Sequence, residues 1–146
     1  MKNIFLYIFI LALIASCKTR KQEPFGRATK LEDKKWILTT LNNKAITETD
    51  SARMFAMEIF SEDNALYLCC ECDTAYGLYT AHDDFVLLNV LGRTDIECNP
   101  ELYGEFVQQA KSANHFQIKT TKQNKQLKEQ LILFKDDQEL MRLNKK

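Results

Sequence analysis

The strongest constraint on this chain is how its apolar residues recur. They come in short stretches at period two, each closed by a turn rich in Asn or Asp, with a single helical pattern among them. Trp36-Ile37-Leu38-Thr39-Thr40-Leu41 combines aromatic and β-branched residues, which suit a pleated, half-buried surface. Asn42-Asn43 follows as a turn. Phe55, Met57 and Ile59 alternate within Phe55–Phe60, and Ser61-Glu62-Asp63-Asn64 reverses the chain, because Asn and Asp tolerate left-handed backbone. Ala65–Cys72 is expected to return as one strand, and Gly77-Leu78-Tyr79 to resume the sheet after a break. His82-Asp83-Asp84 reads as a turn and Phe85–Asn89 as a strand.

The helical pattern opens at Asn99-Pro100-Glu101. Asn caps a helix well, Pro suits its first position, and an acid favours its positive end. Leu102, Tyr103, Phe106, Val107 and Ala110 then recur at helical spacing until about Asn114. Phe116-Gln117-Ile118 alternates again. Leu127–Phe134 and Glu139–Leu143 flank Lys135-Asp136-Asp137-Gln138, which predicts a closing hairpin. Strands, one helix, then more strands give an α+β domain of antiparallel meanders, not an alternating parallel sheet. At 146 residues the chain is sized for one domain. Lys+Arg and Asp+Glu each number 20, so no basic surplus marks it as a nucleic-acid binder.

The N-terminus carries a separate message. Lys2 precedes an apolar run, Ile4–Ala15, within the usual signal-peptide length and too short to span a bilayer. The stretch Leu13-Ile14-Ala15-Ser16-Cys17 resembles the lipobox of bacterial lipoproteins. That resemblance implies cleavage before Cys17 and a diacylglyceryl thioether on its sulfur. Residues 1–16 are then a signal peptide and 17–30 a lipidated cysteine with a flexible tether, holding a domain of residues 31–146. Several acyl chains would hold the protein stably on a membrane. Lys18 follows the cysteine where a retention aspartate would stand, which favours the outer membrane.

Within the domain, Trp36, Cys72-Asp73-x-x-x-Gly77-x-Tyr79, Thr94-x-x-x-Cys98 before a helix and the closing hairpin are ordered as in the META domain. The chain thus resembles the HslJ-like envelope proteins over about residues 31–145. Glu71, Asp73 and Ala75 depart from that family's Gly-Cys-Asn-x-Tyr motif. The resemblance implies a curved antiparallel sheet, close to a half-open barrel, packed with one main helix. It also implies a bridge between Cys72 and Cys98, which match the family's two cysteines. It implies no established reaction.

Besides Cys17 there are Cys69, Cys70, Cys72 and Cys98, which allow three full pairings. Adjacent strand residues face opposite ways, so Cys69 and Cys70 do not bridge each other easily, while Cys70 and Cys72 share a face at the limit of reach. An alternative is a thiol, redox or metal site built from Cys69, Cys70 and Cys72 with Cys98 or His82. The CCxC spacing lacks the paired C-x₂₋₄-C turns of zinc sites, and CxxC is absent. No serine, histidine or glycine motif marks a catalytic or phosphate site, and neither a cofactor nor a metal is expected. Of Phe55, Phe60, Tyr67, Tyr76, Tyr79 and Phe85, most are expected in the core, with tyrosines at an open mouth able to present a binding surface. The function expected is a non-enzymatic, lipid-anchored binding or stress-protective module with an envelope-protein or cell-wall partner.

Overall fold

The structure is a computed structural model that describes residues 30–47, 55–71, 73–94, 100–123 and 125–146. The signal segment, Cys17, the tether up to Thr29, Cys72 and Cys98 lie outside the described residues. The strands are β1 (Lys34–Leu41), β2 (Lys44–Ala45), β3 (Ala56–Phe60), β4 (Ala65–Cys69), β5 (Thr74–His82) and β6 (Phe85–Arg93). After the helix α1 (Pro100–Ser112) come β7 (His115–Gln123), β8 (Gln126–Lys135) and β9 (Gln138–Lys145). They form one nine-stranded antiparallel sheet in the order β2-β1-β3-β4-β5-β6-β7-β8-β9, and β9 pairs back onto β1. The α+β curved sheet with one helix, expected from the sequence, is the fold the chain adopts.

The ring of strands has one weak joint. β6 and β7 meet at a single pair, Phe85↔His115, whereas β7 and β8 pair from His115↔Phe134 to Gln123↔Gln126. Between β6 and β7 the chain forms α1, leaving the sheet after Arg93 and returning at His115. The helix buries Tyr103, Phe106 and Ala110, and the Phe106 ring packs edge-on against Phe55 at 6.2 Å. Trp36, Leu38, Met57, Ile59, Leu66, Leu68, Leu131, Leu133 and Leu143 fill the rest of the core. Trp36 also donates its indole N–H to the Leu31 carbonyl at 3.1 Å, closing one end. Among the described residues the core begins at Leu31.

The turns sit where short polar side chains accept left-handed backbone. Asn42, Asn43, Asn64, Asp83 and Asp136 all have positive φ. Three expectations need correction. The strand beginning at Ala65 stops at Cys69, because the Cys70 N–H donates to the Asp73 carbonyl at 2.8 Å and turns the chain. Cys70 therefore lies beyond the end of the extended strand, at the turn. β6 runs past Asn89 to Arg93, with a register shift between Tyr76 and Gly77. Lastly, of the six aromatics expected mostly in the core, only Phe55 and Tyr79 are buried, while Phe60, Tyr67, Tyr76 and Phe85 are exposed. Each of these four sits on the outward phase of its strand; β5, for example, turns Ala75, Gly77, Tyr79 and Ala81 inward and its bulkier Tyr76 and Leu78 outward. Tyr103 of α1 reaches the Ala75 backbone, so small inward side chains make room for the helix.

Candidate functional site

Two regions combine unusual side chains. The first is the β4–β5 turn. Cys69 ends β4 half-buried, opposite Ala56 and Thr74 on the outer face, and Cys70 is buried. Both thiols are free. Burial, first of all, pushes the Cys69 thiol up, opposed by a hydrogen bond with Thr74. The neighbouring Lys35–Glu58 pair, 2.6 Å apart, adds little, since its two charges act in opposite directions. A raised thiol pKa leaves little thiolate at neutral pH, the reverse of what a nucleophilic cysteine needs.

Next to the thiols, Asp73 is buried and accepts a hydrogen bond from the Thr94 hydroxyl at 2.6 Å. Thr94 in turn accepts from the Thr74 N–H at 3.0 Å, and its own N–H donates to the Thr74 carbonyl. Tyr103 comes down from α1 and donates its hydroxyl to the Leu68 carbonyl at 2.9 Å. Burial, and then the Asp73 charge, raise the phenol well above the usual tyrosine range, so it remains a donor. The arrangement ties α1, the β4–β5 turn and the end of β6 together through satisfied buried polar groups. It works as a clamp. Of its members, sequence reasoning named Cys69, Cys70, Asp73 and Thr94 but placed Tyr103 only as a helix core residue.

His82 takes no part in this cluster. It lies at the far end of β5 from Thr74, about 26 Å along the strand, with its Nδ1 3.1 Å from Asp83. An ion shared by Cys70 and His82 is therefore excluded by distance. Among the described residues no group of three or more His, Cys, Asp or Glu side chains converges as a metal site would require. A second buried pair, unread from sequence, closes another part of the sheet: the Tyr79 hydroxyl donates to Glu32 Oε1 at 2.5 Å.

The second region is the outer face of β3–β6. Phe60, Tyr67, Tyr76, Leu78, Leu87 and Leu91 are all exposed there, the last of these 61%. Cross-strand pairing brings them together: Tyr67 lies opposite Tyr76, Ala65 opposite Leu78, and Thr80 opposite Leu87. Phe60 and Tyr67 pack edge to face at 5.7 Å. Tyr76 lies across Gly92, so closely that a Cβ there would meet the phenol oxygen. A shallow depression of about 250 Å³ opens beside Phe60 and Tyr67, rimmed by Asp33, Glu62 and Asp63. Contiguous exposed apolar surface with a polar rim is the usual mark of an interaction face. The sequence signal for it was present in the alternation itself, because Tyr76 and Leu78 are out of phase with Tyr79.

No protein-family model matches the chain, and no curated protein matches it. A solved NMR structure of a protein from Burkholderia xenovorans is similar to it, with a TM-score of 0.60 at 15% sequence identity. The match covers 85% of this chain and 90% of that one. A likeness at that identity concerns the fold alone.

Proposed function

We propose that this chain is a lipid-anchored envelope protein whose META-like domain serves as a non-enzymatic binding module. The observation that carries the reading is the exposed apolar face of β3–β6, centred on Tyr76, Leu78, Leu87 and Leu91. A solvated sheet face normally alternates to polar residues, so large aliphatics there favour a partner over water. The lipobox-like Leu13–Cys17 supports attachment to a bacterial membrane, with the outer membrane favoured by Lys18. The curved sheet with one helix is the architecture that the META resemblance implies. The raised Cys69 thiol works against the thiol or redox alternative.

Palmitate labelling of cells, followed by membrane fractionation, tests the anchor. The wild-type chain should incorporate label and the Cys17→Ala variant none; label in that variant removes the assignment. Crosslinking in intact envelopes tests the face. A photoreactive residue at Leu87 should form a discrete adduct that Tyr76→Asp abolishes. Turnover of a hydrolase or redox substrate that one point substitution eliminates overturns the non-enzymatic reading.

A further inference from the structure

The β7–β8 hairpin is longer than the sheet that supports it. β9 ends its pairing with β8 at Gln130↔Asn144, and β6 meets β7 at Phe85↔His115 alone. From Thr120 and Glu129 outward, β7 and β8 pair only with each other. This two-stranded ribbon extends about 13 Å past the last β8–β9 pair, taking four residues at strand rise. It carries Lys119, Lys122, Lys125 and Lys128, all exposed, and no acid between them. Among the described residues none of these lysines forms an ion pair. Beside the tip stands Leu127, 72% exposed and the most exposed large apolar side chain among the described residues.

The same end of the sheet receives the N-terminal segment. Lys34 Nζ, which donates to the Lys30 carbonyl, lies 3.1 Å from Glu129 Oε2 at the base of the ribbon. Lys145 Nζ approaches the same oxygen at 2.9 Å, and the Lys146 N–H donates to the Lys35 carbonyl. Glu129, the acid nearest the ribbon, is thus already spanned by two cations. Leu127, Lys128, Lys145 and Lys146 also line a cleft of about 390 Å³ at this point. Of the acidic turns, Asp83-Asp84 lies at the opposite end of β7, by His115, while Glu62-Asp63 stands at this end but three strands from β8, past β9 and β1. Between Cys17 and Lys30 the chain reaches at most about 45 Å, and residues 18–30 add five basic side chains against one acid.

We infer that the Lys119–Lys128 ribbon is a membrane-docking element that binds the phosphate-bearing headgroups of anionic phospholipid, with Leu127 entering the interface. Its orientation rests on the anchored reading proposed above, because a lipid on Cys17 turns this end of the domain toward the bilayer. Lysines close to an anionic surface strengthen attachment by about fivefold each, and the attraction fades within a Debye length of salt. An exposed leucine among them adds apolar burial at the headgroup boundary.

The test uses residues 17–146 with Cys17→Ala, which retain every core residue among those described but carry no lipid and no signal segment. Sedimentation with vesicles of equal parts phosphatidylglycerol and phosphatidylcholine should bind this chain at low salt. Phosphatidylcholine vesicles should not. Replacing Lys119, Lys122, Lys125 and Lys128 by Gln should weaken binding by about tenfold or more, with an unchanged circular dichroism spectrum. In a separate variant, Leu127→Trp emission should shift to the blue on anionic vesicles and be quenched by brominated lipid. Equal binding to both vesicle types, an unaffected four-Gln variant, or an unshifted Trp emission overturns the inference. Retention on an anionic polysaccharide without vesicle binding overturns it too, in favour of a soluble polyanion. Since this chain lacks the lipid, vesicle preference without palmitate labelling in cells sinks only the anchor, and labelling without vesicle preference sinks only the ribbon.

Discussion

Two glycines make opposite predictions from one principle. Gly77 sits in β5 against β6, where a Cβ would lie 2.0 Å from the Asn89 carbonyl oxygen and 2.9 Å from Val90 Cα. Non-bonded heavy atoms are comfortable near about 3.5 Å, and both obstacles are backbone, so the overlap of about 1.5 Å must be relieved by parting the strands. Two ladder hydrogen bonds lost at about 1 kcal/mol each, with about 1 kcal/mol of backbone strain, put the cost of Gly77→Ala near 3 kcal/mol. Gly104 lies inside α1, where a Cβ meets nothing within 4 Å. There Ala removes the entropic cost of a helical glycine, and Gly104→Ala should stabilise by about 0.5–1 kcal/mol. Urea unfolding under reductant measures both, with Trp36, the sole tryptophan and fully buried, as the fluorescent reporter. The midpoints should move in opposite directions at constant slope. A Gly77→Ala midpoint within about 0.5 kcal/mol of wild type would refute the close-approach argument, and a destabilised Gly104→Ala would refute the placement of α1.

Two further outcomes follow from buried or bridged carboxylates. Tyr79→Phe removes the hydroxyl that serves the buried Glu32 and should cost about 1–3 kcal/mol in the same assay; a double-mutant cycle with Glu32→Gln should show positive coupling, and additivity would exclude it. Lys145 and then Lys34 hold the Glu129 carboxyl below its ordinary value of 4.5. A lowered folded pKa contributes stability above the unfolded value, which is lost as pH falls through the folded one. Glu129→Gln should therefore remove part of the acid sensitivity below about pH 4.5, on the order of 1 kcal/mol for a partly buried carboxylate bridged by two lysines, and leave high-pH behaviour unchanged. An acid limb identical to wild type would contradict it.

What the sequence makes legible follows from local physics. Asn42-Asn43, Asn64, Asp83 and Asp136 mark turns because a left-handed residue is a local requirement that few side chains meet. α1 is legible from its apolar recurrence, and the final hairpin from its polar centre. Less is visible where a long-range partner decides. Nothing in Ala65–Cys72 announces that Cys70 will bond to Asp73 and end the strand, since that contact depends on where Thr94 and Tyr103 arrive. Residues 119–126 carry no apolar alternation, so their pairing depends on the turn and on the adjoining Leu131 and Leu133, not on a buried face of their own. The clamp around Asp73 was legible as residue types but not as geometry.

The outer face has a consequence for how selection and stability divide on this molecule. Bulky residues on a strand are usually read as core-facing, yet β5 keeps its small residues inside and Tyr76 and Leu78 outside. Leu87 and Leu91, each 61% exposed, bury too little surface to hold the fold together. Leu87→Asp should change unfolding free energy by no more than about 0.5 kcal/mol, while it should disrupt any envelope adduct formed through this face. Measuring urea unfolding and crosslinking on that one variant separates the two roles. If stability falls by several kcal/mol instead, Leu87 belongs to the core and the face is a product of folding. If stability and adduct both survive, partner contact does not run through Leu87, and the binding reading loses the observation on which it stands.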